Sequence, residues 1–355
     1  MTNLESALQR KRDNNLNLIR LIAAYAVLIS HSYAIYTGDP ATEPLRSSTG
    51  FSLGGIAVWV FFGISGLLIY QSWENSSASK FIASRCARIL PALFVSAVAT
   101  LLVGAFVTTL AASDYWKHSE TITYLPRFVT LVFMRDSLPG VFEQNPFPLS
   151  VNGSAWTLFY EVSCYAMVFI VGLIGTRVRG AMIGAIAIVF GLWLAVEVFH
   201  LFTPSKRLAD FIKLGFPFAL GMLIYECRYF TPLSLLAAAF LWMLTWLSAE
   251  TPVYSTVFVV SVVYTTFYAG YVVKGFRWYN SKRIGDVSYG VYIYTFTIQQ
   301  IVVHLMPDIS IASFIALVTA IVLPISYASW HFIEEPVMQR SKHLGARLDR
   351  SAARA

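Results

Sequence analysis

Apolar runs of about twenty residues follow one another from residue 16 to residue 333, separated by short polar or Gly- and Pro-bearing stretches. An α-helix rises about 1.5 Å per residue, so runs of that length match the roughly 30 Å hydrocarbon core of a bilayer. The pattern predicts ten membrane helices, at 16–36, 52–73, 90–112, 156–175, 181–200, 211–225, 233–248, 254–274, 287–306 and 310–333. The sixth and seventh are short and carry Gly215, Pro217 and Gly221, which predicts tilted or broken segments there and a total between nine and eleven. One interruption is long: residues 113–155 hold Pro126, Pro139, Gly140, Pro146 and Pro148 among many aromatic residues. That mixture reads as an ordered cap rather than a tether, with Tyr124–Met134 as a short amphipathic helix lying in the interface. No internal repeat shows. The pattern describes one all-α, polytopic membrane domain over 1–336, followed by a basic tail over 337–355 that reads as resting on anionic lipid.

Composition removes the competing classes. Of 355 residues, 57% are hydrophobic and 13% charged, with mean hydropathy +0.62, whereas soluble domains are about a quarter charged. Cys86, Cys164 and Cys227 are an odd number at scattered spacings, so neither a disulfide framework nor a metal site is signalled, and they read as packing residues. The first apolar run lacks a small-residue cleavage site and reads as a retained helix rather than a leader. The net charge of +7 matters through its placement, because positive loops stay cytoplasmic. With the N-terminus inside, eighteen Lys and Arg fall on the cytoplasmic side, among them Arg10, Lys11, Arg12, Arg177, Arg179, Arg277, Lys282 and Arg283. Seven fall outside and Arg20 lies within the first helix. Both termini are therefore expected in the cytoplasm.

Ionisable side chains inside a span are costly, so they nominate sites. Arg20, His31 and Glu161 lie well inside; Glu197, His200, Glu226, His304 and His331 lie near helix ends and read as interfacial. Arg20 and His31 are eleven residues apart, three helical turns plus about 20°, hence on one face and about 16 Å apart along the axis. Singly, each reads as a snorkelling arginine and a histidine satisfied in the bundle. Glu161 reaches a similar depth from the opposite direction, about five residues below the outer surface. A carboxylate beside an imidazole favours the imidazolium and fixes its tautomer, as a general base requires; a structural ion pair is the other reading. Arg85 and Arg88, three apart before Pro91, can grip one anion together or serve as topology anchors, with Pro91 suited to the first turn of the helix. In Phe61-Phe-Gly-Ile-Ser-Gly66 the small residues admit either a neighbouring helix or a slender ligand, with Ser65 between them.

These residues occur in an order that resembles the integral-membrane acyltransferases of family three. The likeness rests on Arg20 and His31, the segment ending at Gly66, Arg85-x-x-Arg88-Ile-x-Pro91, Leu138-Pro-Gly-Val-Phe142 and Asn152-Gly-Ser-Ala-Trp156-Thr-Leu-x-x-Glu161. It continues with Ser288-Tyr289, Tyr292 and Glu334-Glu-Pro336. Two positions depart from it: Asn17 stands where the family often has Asp, and Thr295 where it often has His, which marks a subgroup. No esterase-like domain follows the tenth helix, so the likeness is to the stand-alone form.

The resemblance implies an O-acyltransferase that moves an acyl group, commonly acetyl, from acyl-coenzyme A to a hydroxyl of a glycan, lipid-linked sugar or related acceptor. It implies His31 and Glu161 as catalytic, and Arg20, Arg85, Arg88 and Ser65 as donor-binding. Asn152, Trp156, Tyr289 and Tyr292 would line the acceptor site or channel. No metal and no permanently bound cofactor are implied, the partners being the donor, the acceptor and the bilayer, and the location a bacterial inner (plasma) membrane. A basic mouth formed by Arg20, Arg85 and Arg88 suits a polyanionic cytoplasmic donor, whose thin pantetheine arm could thread toward His31. The alternative is a proton-coupled secondary transporter using Arg20, His31 and Glu161 as a relay.

Topology reporters fused after residues 45, 80, 280 and 350 are expected to report only the first as external. An external signal at 80 or 350 would invert the orientation.

Overall fold

The computed structural model describes residues 2–9, 14–132, 134, 136–175, 180–274 and 284–342. The basic residues Arg10, Lys11, Arg12, Arg135, Arg177, Arg179, Arg277, Lys282 and Arg283 lie outside them, as do 343–355 of the tail. A helix occupies each of the ten expected places: α2 (Leu16–Thr37), α4 (Leu53–Glu74), α5 (Ala78–Val107), α8 (Trp156–Gly175), α9 (Ala181–Val198), α10 (Lys206–Glu226), α11 (Leu235–Leu247), α12 (Tyr254–Tyr271), α13 (Ser288–Leu305) and α14 (Ile311–Lys342). Shorter helices are α1 (Leu4–Gln9), α3 (Arg46–Thr49), α6 (Ala112–Lys117) and α7 (Ser119–Thr130). Seven of the described helices are long and apolar enough to cross a membrane. Their outward side chains are large and apolar, Ile188 being 64% and Phe106 89% exposed, as expected where the surroundings are lipid rather than water.

Four boundaries differ from expectation. α5 begins at Ala78, well before 90: its first turns mix buried Phe81, Ala87 and Ile89 with Lys80, Ser84, Arg85 and Arg88, a stretch that hydropathy alone does not register. Pro91 therefore lies inside the helix rather than in its first turn. α14 likewise runs past Glu334-Glu-Pro336 to Lys342, widening into a π-helical turn at Trp330–Glu334. α10 is continuous through Pro217 rather than broken. The amphipathic cap helix is Ser119–Thr130 rather than Tyr124–Met134: the His118 side chain accepts the Glu120 N–H at its start, Thr121, Tyr124 and Phe128 form its buried face, and Leu131 ends it in the left-handed region at φ 63°.

The helices sort into two compact units. The first comprises Met1–Arg20, Ile56–Ala78 and Tyr160–Tyr279. Its centre is the crossing of α4 and α10, where backbones touch: a Cβ added at Gly66 would stand 1.9 Å from the Phe218 carbonyl oxygen, and one at Gly221 2.1 Å from that of Gly63. The small residues around Ser65 thus admit a helix. The chain start is tied into this unit by a two-residue ribbon, β1 (Thr2–Asn3) antiparallel to β2 (Pro232–Leu233). The Asn15 side chain also donates to the carbonyls of Ala269 at 3.0 Å and Val273 at 2.8 Å.

The second unit comprises Leu21–Gly55, Ser79–Phe159 and Asn280–Ala355. α13 is its most deeply buried element, and Gly290 lets it approach Ser326 of α14, where a Cβ would stand 2.9 Å from the serine Cβ. The proline-rich part of the 113–155 segment is laced to α13 by side-chain hydrogen bonds. Gln300 Nε2 donates to the carbonyls of Phe147 at 2.8 Å and Ser150 at 2.7 Å, and Thr297 Oγ1 donates to that of Val151 at 2.8 Å. In α6, Tyr115 donates to the Leu101 carbonyl at 2.9 Å, and burial pushes its phenol up to about 12, so it remains a neutral donor.

Gly66→Ala and Gly221→Ala should each destabilise the detergent-solubilised protein by about 1–3 kcal/mol, since a methyl group there meets backbone rather than a movable side chain. Gly184→Ala on α9, where a Cβ meets nothing within 4 Å, should stay within about 0.5 kcal/mol in the same thermal-unfolding assay.

Candidate active site

In the second unit, His31 occupies α2, half-buried. Its Nδ1 lies 3.3 Å from Ser154 Oγ, and its ring meets Phe296 of α13 edge-on at 5.5 Å between centroids. Ser154 is itself fixed: its carbonyl accepts the Tyr292 hydroxyl at 2.8 Å, and that hydroxyl also pairs with Thr157 Oγ1 at 2.5 Å. Asn152 is fully buried, donating to the Ile293 carbonyl at 3.0 Å and Ser96 Oγ at 3.3 Å, while its Oδ1 has no hydrogen-bond partner among the described residues. Asn152 and Tyr292 therefore hold the 150–157 segment that brings Ser154 to the histidine. Trp156 opens α8 and is 46% exposed.

The turn of α2 around His31 is clamped from α13. Gln299 Nε2 donates to the Leu28 carbonyl at 2.8 Å and to Ser32 Oγ at 2.7 Å. A carbonyl can only accept, so the amide orientation is determined, and Gln299 Oε1 becomes a buried acceptor without a hydrogen-bond partner among the described residues. Ser154, Phe296 and Gln299 were not singled out from the sequence. Ser154 lay within the Asn152–Trp156 motif, and the adjacent amides of Gln299 and Gln300 inside an apolar run were a polar signal that a search for ionisable groups passes over.

Arg85 and Arg88 lie on α5 in different surroundings. Arg85 is half-buried, donating from Nε to Ser84 Oγ at 3.2 Å with its guanidinium 5.9 Å from the Phe81 ring centre. Arg88 is enclosed: Nη2 lies 2.7 Å from Asp286 Oδ2, Nη1 lies 3.6 Å from Glu334 Oε2, and the guanidinium stands 5.6 Å and 5.5 Å from the rings of Tyr289 and Trp330. Tyr289 in turn donates to the Ile89 carbonyl at 3.0 Å. The Glu334 side chain is fully buried, and such a carboxylate persists only when paired.

In the first unit, Arg20 sits half-buried near the start of α2. Ser65 on α4 donates to Glu161 Oε1 at 3.3 Å, and the Tyr165 hydroxyl, one turn along α8, donates to the same oxygen. Glu161 thus accepts two hydroxyl hydrogen bonds on one oxygen. Thr295, at the position of the departure noted above, is buried and returns its hydroxyl to the Val291 carbonyl within its own helix.

A family model described as an acyltransferase domain, that of acyltransferase family three, matches residues 13–331. An O-acetyl transferase of Shigella phage Sf6 is 30% identical over 345 residues, covering 93% of this chain and 97% of that protein. Nodulation protein 10 of Rhizobium leguminosarum bv. viciae is 27% identical over 370 residues, covering 94% of this chain and 95% of its own. No solved structure matches. Because the family match begins before Arg20 and ends beyond Tyr292, it takes in the fixed histidine and both arginines. The chain belongs to acyltransferase family three and is an integral-membrane O-acyltransferase.

Proposed function

We propose that the protein transfers an acetyl group from acetyl-coenzyme A to a hydroxyl of a glycan or lipid-linked sugar, with His31 as the general base. The observation that carries this reading is the fixation of His31 between Ser154 and Phe296. With Nδ1 engaged by the serine hydroxyl, Nε2 is the nitrogen that takes the acceptor's proton as its oxygen attacks the thioester carbon. The carbon–sulfur bond then breaks, and the proton passes from the imidazolium to the departing thiolate. Glu161, whose carboxylate accepts the hydroxyls of Ser65 and Tyr165 within the first unit, is assigned a catalytic role. The name of the Shigella phage relative, an O-acetyl transferase, supports acetyl as the group moved.

The donor is a polyanion, and basic side chains should meet its phosphates. Arg85 and Arg20 are assigned this role directly. Arg88 already faces two carboxylates, so its contribution to donor binding runs through holding α5, Asp286 and α14 in register. The split of basic residues supports both termini, and the donor site with them, being on the cytoplasmic face of a bacterial inner membrane. Asn152, Trp156, Tyr289 and Tyr292 are assigned to the acceptor side or the channel, the buried Asn152 Oδ1 offering an acceptor for a sugar hydroxyl.

Release of free thiol from acetyl-coenzyme A by the purified protein, with a membrane extract supplying the acceptor, tests the donor. His31→Ala and His31→Gln should abolish release while leaving the protein inserted and able to bind coenzyme A. Glu161→Gln should slow it by about two or more orders of magnitude with residual activity, and the double variant should be little worse than His31→Ala alone. Near wild-type turnover by His31→Ala would end this mechanism.

The two arginines should separate by assay. Arg85→Ala should raise the KM for acetyl-coenzyme A with little change in thermal stability. Arg88→Ala should cost about 3–5 kcal/mol of stability, because it strands buried carboxylates. Equal stability of the two variants would show that the enclosure of Arg88 contributes nothing to folding.

A further inference from the structure

The loop joining α2 to α4 turns one carboxylate inward. Ala41, Thr42, Leu45 and Arg46 are exposed, yet the Glu43 side chain is only 10% exposed. Local structure dictates this. Asp39 caps a 3-10 turn at Pro40–Thr42, accepting the Ala41 N–H at 2.8 Å; Leu45 takes up the left-handed region at φ 69°; and the Pro44 carbonyl accepts the Leu53 N–H at 2.8 Å, tying the loop to the first turn of α4. Glu43 Oε2 accepts a hydrogen bond from the hydroxyl of Ser30, the fully buried residue immediately before His31. Gly54 leaves the room for it: a Cβ there would stand 3.0 Å from Ser30 Oγ and 3.7 Å from Glu43 Oε2. The other carboxylate oxygen lies 3.4 Å from Nη2 of Arg46, whose side chain is 41% exposed.

Anchoring the loop does not require a charge, since a neutral amide oxygen would accept the same serine hydroxyl. Removing a carboxylate from water is costly, and a solvent-facing arginine compensates it only in part. A negative charge held on the chain neighbour of His31, and largely withdrawn from water, acts most strongly when the imidazole becomes positive. We propose that Glu43 is a positioning residue for acyl transfer: locked on Ser30, its carboxylate steadies the positive charge that His31 acquires on taking the acceptor's proton. The inference rests on His31 being the general base. Glu43 neither gains nor loses a proton in the step; the proton moves from the acceptor hydroxyl to His31 and then to the coenzyme A thiolate as the thioester bond breaks.

The test uses the full-length protein and the thiol-release assay, with KM and kcat separated. Glu43→Gln should keep its unfolding temperature and its KM for acetyl-coenzyme A while kcat falls about ten- to a hundredfold. Glu43→Asp should recover part of the loss. Arg46→Ala, which removes the screening cation but leaves the carboxylate, should turn over at or above the wild-type rate. Wild-type kcat in Glu43→Gln would overturn the inference, and so would an equal fall in Arg46→Ala, which would mark the loop as an anchor only. Should Glu43→Gln fail to insert, the contrast between Glu43→Asp and Arg46→Ala decides. Activity in His31→Ala would overturn the base itself; a dead His31→Ala beside a fully active Glu43→Gln would overturn the role of Glu43 alone.

Discussion

Two adjacent buried amides, Gln299 and Gln300, set the geometry around the histidine. Inside hydrocarbon there is no water to satisfy a polar group, so an amide placed there must find its partners within the protein. Successive residues on a helix point about 100° apart, and α13 uses that angle to reach two different segments. Gln299 clamps the Leu28 carbonyl and Ser32, which bracket His31, while Gln300 holds the carbonyls of Phe147 and Ser150, just ahead of Ser154. Asn145 closes the second clamp by donating to the Gln300 carbonyl at 3.0 Å and side-chain oxygen at 2.8 Å. The imidazole and the serine that meets it are thus both measured from one helix. Without either amide, buried carbonyls would be left without donors in a medium where that omission is costly.

Electrostatics in the second unit follow the same logic with larger stakes. Arg88 joins α5 to Asp286, to Glu334 on the π-helical turn and to the faces of Tyr289 and Trp330. Such an enclosure adds little net stability over a well-packed apolar core, but it is intolerant of losing one member. It also fixes the approach of the chain to α13: Gly285, at φ 79°, passes so close to the Trp330 indole that a Cβ would stand 2.0 Å from its nitrogen. Arginine serves here as a fastener, whereas its neighbour three residues earlier keeps a more open position.

Hydropathy carried the helices well because burial in lipid imposes a long apolar run, and all ten runs became helices. It missed the ends of α5 and α14, where turns of mixed polarity continue beyond the apolar stretch, and it could not show that Pro217 sits inside an unbroken α10. The ordered motifs identified the family, and a search for ionisable groups inside spans nominated His31, Glu161 and Arg20. That search was blind to partners of other kinds. Ser154 and Gln299 carry no charge, and Glu43 sits in a loop where acidic residues are ordinarily solvated. What brings each of them inward is backbone conformation and tertiary packing, which leave no periodic trace in a sequence.

The ribbon that pairs β1 with β2 has a consequence for how the chain is made. Leu4 is fully buried, its N–H bonds to the Thr231 carbonyl at 3.1 Å, and Glu5 pairs with Arg228 at 3.1 Å. Residues 2–5 therefore have no resting place until residues 228–233 have been synthesised. At roughly 5–20 residues per second, that delay is on the order of ten seconds or more. During it α2, the helix that carries His31, must lodge in the bilayer with its leading end unattached. Assembly of the first unit thus includes docking an early segment onto a much later one, and an extension fused ahead of Thr2 would be carried into that step.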